Sequence, residues 1–193
     1  LIRTSARGTL MGNRGVLHDE RQQIRRLYRG RAWITCLLAF KGRDRDIMQP
    51  GRYTELFFLD EATAFAAGHR PCWECRRQRA IAFKAAWLAG NSDLGFDAAM
   101  TARQLDEVLH AERITSGGEK VVHRERMDVL PDGTFVRWSC GIHLVLGERL
   151  LAWSPEGYAG ETPRPRDAEV DVLTPRSVVR AFGAGHSPDI HLR

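Results

Sequence analysis

Cys72 and Cys75 stand three residues apart in the run His69-Arg70-Pro71-Cys72-Trp73-Glu74-Cys75, directly ahead of a stretch that reads as a helix. Two thiols in that position suit metal binding or redox exchange, because backbone N–H groups at a helix start lower the thiol pKa. Pro71 fixes the approach to the turn, so both sulfurs can point at one ion about 2.3 Å away. Cys36 alternates with Ile34, Leu38 and Phe40 on one strand face. It reads either as a further ligand reaching across or as a buried apolar side chain. Cys140, His69, His110, His123 and His143 are weaker candidates to complete a tetrahedron. Three readings of Cys72 and Cys75 stay open: a structural zinc or its degenerate remnant, a redox pair, and free thiols holding a former zinc turn. The redox reading lacks the βαβ context that usually carries such a pair.

His110-Ala111-Glu112 together with Pro71-Cys72-Trp73-Glu74-Cys75 supplies the residue types of a zinc deaminase, in reversed order. Other enzyme signatures are absent, with no G-x-S-x-G, P-loop, G-x-G-x-x-G or H-E-x-x-H. The reading therefore favours a binding protein over an enzyme. Residues 1–80 hold 16 Lys and Arg against 8 Asp and Glu, whereas residues 81–193 hold 13 against 16. Of the 29 basic residues 26 are arginine, whose forks match phosphate oxygens two at a time. Arg70, Arg76, Arg77 and Arg79 surround the cysteine turn, and Arg25 and Arg26 lie in the basic front segment. With Trp73 available to stack on a base, these residues are the expected nucleic-acid contacts.

These side chains need elements to position them. The 193 residues, 43% hydrophobic and 27% charged, are enough for one sizeable domain. Four cysteines in that length do not make a disulfide scaffold. No apolar run approaches the roughly 20 residues of a membrane helix, so no membrane partner and a cytoplasmic location are expected. Residues 1–17 read as an irregular Gly/Arg arm and 19–29 as a short helix. Residues 31–41 and 53–59 read as strands. Asp60 caps a helix over 61–67 that Gly68 stops, and further helices are predicted over 76–89 and 98–112. The back half alternates in strand fashion over 121–130, 134–139, 142–146 and 149–153. A Pro/Gly-rich loop over 154–167 follows, then a strand over 170–173. A short helix with Thr174 as N-cap and Pro175 first, and a loose tail from Gly183, complete the chain. The expected class is α+β, organised as a basic arm and short helix (1–30), a metal-binding unit with following helices (31–118), and an antiparallel β-region with a C-terminal helix and tail (119–193).

Residues 57–76, Phe57-Phe58-Leu59-Asp60-Glu61-Ala62-Thr63-Ala64-Phe65-Ala66-Ala67-Gly68-His69-Arg70-Pro71-Cys72-Trp73-Glu74-Cys75-Arg76, resemble the N-terminal zinc-binding domain of the Ada DNA-repair family. That resemblance implies an Ada-like zinc-knuckle unit: a strand ending in aromatics, an Ala-rich helix, and A-A-G-x-R-P-C-x-x-C. It also implies zinc as cofactor and DNA as partner. The family's other cysteine pair is missing here. Phe40 stands four residues beyond Cys36, and residues 42–52 offer only Asp44 and Asp46 as ligands. Methyl transfer from DNA phosphate by the family's route is therefore not expected. The combined expectation is a zinc-binding nucleic-acid-binding protein. A small metal-dependent, deaminase-like hydrolase and an interaction module with a structural zinc are the alternatives.

Overall fold

The structure, a computed structural model, describes residues 1–42 and 46–192. Its class is α+β. The first sheet contains β1 (Leu10–Asn13), β2 (Ile34–Leu37), β3 (Leu56–Phe58) and β4 (Arg70–Pro71) in the order β3-β1-β2-β4. β1 is antiparallel to both β2 and β3, with Met11 opposite Cys36 and Phe57. β4 runs parallel to β2, pairing Ile34 with Arg70 and Thr35 with Pro71. The strand at residues 10–13 replaces the expected irregular arm. Its Gly12 has little intrinsic strand preference, but a Cβ there would lie 2.3 Å from the Phe58 ring, so glycine lets that ring lie across β1.

α1 (Glu61–Ala66) begins where expected. The Asp60 carboxylate caps it by accepting from the Thr63 N–H at 2.8 Å, and it also accepts from the Tyr158 hydroxyl at 2.7 Å. α2 (Arg77–Gly90), α3 (Ala102–Arg113) and α4 (Arg176–Gly183) form the helical layer. Phe65, Phe83, Trp87, Leu105, Leu109 and Phe182 interlock in its core. α4 packs closely on α2 because Gly90 has no side chain: a Cβ there would meet the Arg180 carbonyl at 2.4 Å. Thr101 and Gln104 form a reciprocal capping box at the start of α3.

The second sheet is antiparallel throughout. It contains β5 (His123–Arg126), β6 (Phe135–Trp138), β7 (Gly141–Leu146), β8 (Arg149–Ser154), β9 (Gly157–Pro163) and β10 (Glu169–Val172), in the order β5-β10-β6-β7-β8-β9. β9 occupies what the sequence predicts as loop. It is an edge strand, where Gly and Pro cost least because one side needs no ladder bonds.

Two further expectations are corrected. The helix predicted over 19–29 does not form. The Asp19 carboxylate instead accepts from the N–H groups of Arg21 and Gln23 at 2.9 and 3.0 Å, a local turn that competes with helix. The tail after Gly183 is pinned rather than loose. His186 is buried among Phe65, Phe83 and Phe182, and the Asp189 N–H donates to Glu61 at 3.0 Å. Among the described residues, no helix is long and apolar enough to cross a membrane.

Candidate metal centre

The parallel pairing of β2 with β4 builds the site. The Arg70 N–H donates to the Trp33 carbonyl at 3.0 Å and the Cys72 N–H to the Thr35 carbonyl at 2.9 Å. Those bonds set the cysteine turn beside Cys36, and the sulfurs of Cys36, Cys72 and Cys75 lie within 4.8 Å of one another. Three cysteines so close can hold a metal ion. The turn is shaped for thiolates as well. The Glu74 N–H donates to the Cys72 sulfur and the Leu37 N–H to the Cys75 sulfur, both at 3.4 Å. In the metal-free protein the Cys36 thiol, hydrogen-bonded to Cys72, is pushed upward, and the same bond pulls Cys72 below the usual thiol range. Burial raises Cys75. Without metal the negative charge of the cluster thus falls on Cys72, and a bound cation would displace the protons of Cys36 and Cys75.

A cavity of about 420 Å³ opens on these sulfurs. Ile34, Cys36, Leu38 and Phe40, alternating along one stretch, and Tyr53, Glu55 and Phe57, alternating along another, all line it. Cys36 is half-buried at the cavity wall rather than fully enclosed by its apolar neighbours. No family model, curated protein or solved structure matches the chain. The site is therefore read from its own geometry.

The other ligand candidates stay outside the cluster. Cys140 is exposed at the turn between β6 and β7. His69 packs on Trp33 and Phe58, and His143 and His123 lie on strands of the second sheet. Asp46 is exposed and accepts from the Gln49 amide, and Asp44 lies outside the described residues. The deaminase-like triplet is not assembled. His110 packs against Tyr28 and Trp33, and Glu112 accepts from the Ser177 N–H at 3.0 Å.

The expected arginine surface is also redistributed. Arg70 is 5% exposed and grips Asp106 of α3 through two bonds of 2.8 Å. Arg76 is 7% exposed and donates to Glu61 at 2.8 Å, and Arg79 joins the same carboxylate. These three brace α1, α3 and the tail around the cysteine turn rather than facing a polyanion. Trp73 is half-buried, with its indole N–H sequestered and unbonded. Arg25 is exposed but bridges Asp19 at 2.6 Å. Only Arg26 and Arg77 of the set are exposed and outside any ion pair among the described residues. Sequence reasoning missed Met11, Asn13 and Glu55 as cavity walls. The alternation of Tyr53, Glu55 and Phe57 was a usable signal for the last of these.

Proposed function

We propose that this protein is a small zinc-dependent hydrolase whose ion is held by Cys36, Cys72 and Cys75, with a coordination position left to the adjoining cavity. One observation carries this reading: three sulfurs meet at a cavity, and no fourth Cys, His, Asp or Glu ligand atom joins them among the described residues. Structural zinc is closed by four protein ligands, whereas catalytic zinc keeps a position open. The soft thiolate set, and the resemblance of residues 57–76 to the Ada family's zinc unit, favour zinc over harder cations. A reducing cytoplasmic setting would keep these thiols available.

When bound, the ion supplies a Lewis acid that polarises a substrate oxygen and lowers the pKa of water. The chain supplies the rest. The Glu55 carboxylate, fixed by the Met48 N–H at 2.8 Å, lines the cavity and is placed to move a proton. Leu38, Ile47 and Phe57 form apolar, partly exposed walls that favour a small, largely apolar substrate.

The test uses zinc-loaded protein and an activated ester, 4-nitrophenyl acetate. Glu55→Gln is expected to keep its zinc and to lose about 100-fold or more in kcat. A wild-type rate no higher than that of Cys72→Ser, or an unchanged rate in Glu55→Gln, would remove the hydrolase reading. Nucleic-acid binding is the second reading. It rests on exposed Arg26 and Arg77 in a front segment with 16 basic against 8 acidic residues. Affinity for DNA or RNA that falls steeply with salt and drops in Arg77→Gln would favour it.

A further inference from the structure

A second cavity, of about 620 Å³, is walled by the N-terminal segment, the end of β1, the α1–β4 junction and the segment after α3. Arg14, Trp33, His69, Arg113 and Lys120 line it, and among the described residues Glu55 is its one lining carboxylate. Exposed Arg3 and Arg7 stand at the same cavity.

The cations here are placed unlike the others in the interior. Arg70 and Arg76 are buried against carboxylates, as buried guanidiniums require. Arg113 is 2% exposed, yet it bridges no carboxylate among the described residues. It donates to the Gly68 carbonyl at 2.9 Å and to the Arg31 carbonyl, and its Nε is buried with no partner. The Arg14 Nε is likewise buried and unbonded. Both guanidinium carbons sit over the Trp33 ring, at 4.3 Å for Arg14 and 4.1 Å for Arg113. Lys120 is exposed as a residue, but its ammonium reaches in to the Ala66 carbonyl at 2.7 Å. Burial pulls Arg14 down to about 10, Arg113 to about 9 and Lys120 to about 8, and for Arg113 and Lys120 a neighbouring arginine adds to the effect. The assembly is short of negative charge.

His69 adds a directional group. It is 1% exposed, and burial followed by the charges of Arg14 and Arg113 keeps its imidazole neutral. Its Nδ1 lies 3.2 Å from the Ala67 carbonyl, which can only accept, so Nδ1 carries the proton. Nε2 is left as a buried lone pair with no partner, at the cavity wall. Gly68 makes this arrangement possible. Its φ of +78° turns the chain from α1 into His69, and a Cβ there would lie 2.5 Å from the Arg113 Cδ.

We propose that this cavity binds the phosphate group of a small phosphorylated molecule, with Arg14, Arg113 and Lys120 as its cationic contacts and His69 Nε2 accepting from a hydroxyl elsewhere on the ligand. The three inner cations, Arg14, Arg113 and Lys120, against Glu55 leave a surplus of two positive charges, to which the exposed Arg3 and Arg7 at the cavity add. That surplus matches a phosphomonoester dianion better than a single carboxylate, and guanidinium forks suit phosphate oxygens. The volume is that of a small-molecule pocket. The inference does not depend on the metal centre, although Ile47, Glu55 and Phe57 line both cavities.

Calorimetry on the 193-residue chain, with inorganic phosphate and phenyl phosphate as probes at constant ionic strength in chloride, tests this. Wild-type protein is expected to bind one equivalent and to melt higher in phosphate than in matched chloride. Tighter binding of phenyl phosphate would identify an ester as the ligand, and equal or tighter binding of inorganic phosphate would identify the free ion. Both outcomes support the site. Arg14→Gln and Lys120→Gln should each weaken binding about tenfold or more, while Arg103→Gln, on the exposed face of α3, should leave it unchanged. Lys120→Gln keeps the Trp33 packing intact and so separates binding from folding. The proposal is overturned if neither probe binds, if both variants bind like wild type, or if acetate binds as tightly as phosphate. It is also overturned if an oligonucleotide without a terminal phosphate binds through Arg14 and phosphate does not displace it.

Discussion

Cys72→Ser protein, expressed and purified without chelator, will contain almost no metal, against about one zinc per chain in the wild type. The three sulfurs are spaced for one ion, and removing any of them leaves two ligands, too few to hold zinc in competition with solvent. Cys36→Ser should behave like Cys72→Ser. Cys140→Ser should retain its full zinc content, because Cys140 is exposed and apart from the cluster. Thiol counting separates the metal reading from the redox and free-thiol readings. In zinc-loaded protein a thiol reagent should titrate Cys140 quickly and spare the other three, and chelation should release those three, for four reactive thiols in all. Because the sulfurs tie β2 to the β4 turn, metal removal should also lower the melting temperature. Equal metal content in wild type and Cys72→Ser would refute the assignment.

Glu61→Ala is expected to cost about 3–5 kcal/mol of stability, since it leaves the buried Arg76 with only a long contact of 3.8 Å to the exposed Asp189. Glu61 is 1% exposed and accepts from Arg76, from Arg79 and from the Asp189 N–H, so it joins α1, α2 and the tail. Burial alone would raise its carboxyl. The Arg79 hydrogen bond and the Arg76 charge outweigh burial and hold it below the usual carboxylate range. A depressed folded-state pKa gives stability that is fully present above the unfolded value, about 4.3, and is lost as pH falls through the folded value. Wild-type melting temperature should therefore fall steeply below about pH 4, and Glu61→Gln should show a shallower fall from a lower plateau. Chemical denaturation across that range checks both the size and the sign. Parallel pH profiles for the two proteins would show that the buried carboxylate contributes nothing through its charge.

The two halves of the metal centre differed in how far the sequence revealed them. Cys72 and Cys75 announce themselves through spacing, Pro71 and the following helix, all local features. Ile34, Cys36, Leu38 and Phe40, which alternate in sequence, all line the cavity, although β2 ends at Leu37 and the strand expected over 31–41 is confined to 34–37. Whether that stretch met the cysteine turn depended on the parallel pairing of β2 with β4, a contact between distant segments with no local signature. The arginines near the turn were legible as a cluster in the sequence but not in space. Arg70 and Arg76 point inward because Asp106 and Glu61, 36 and 15 residues away, receive them. The cationic cavity was the least legible. Arg14, Trp33, His69 and the Arg113–Lys120 pair come from four separate segments and meet only when the first sheet closes against α3. In the fold, the Asp60 cap of α1 and the β7–β8 hairpin were read well because their signals lie within a few residues, whereas Thr174 does not cap α4, which has Pro175 as N-cap, and β5 pairs with β10 rather than with β6. The strand at 10–13 and the edge strand β9 were hidden by glycine and proline that tertiary pairing tolerates.

X-ray absorption at the zinc edge of the purified, metal-replete protein tests the central claim most directly. The account predicts three sulfur scatterers at about 2.3 Å and one lighter oxygen or nitrogen scatterer at about 2.0 Å. Loss of the sulfur shell in Cys36→Ser, Cys72→Ser and Cys75→Ser would tie it to these residues. Four sulfurs, or protein that takes up no zinc, would contradict it.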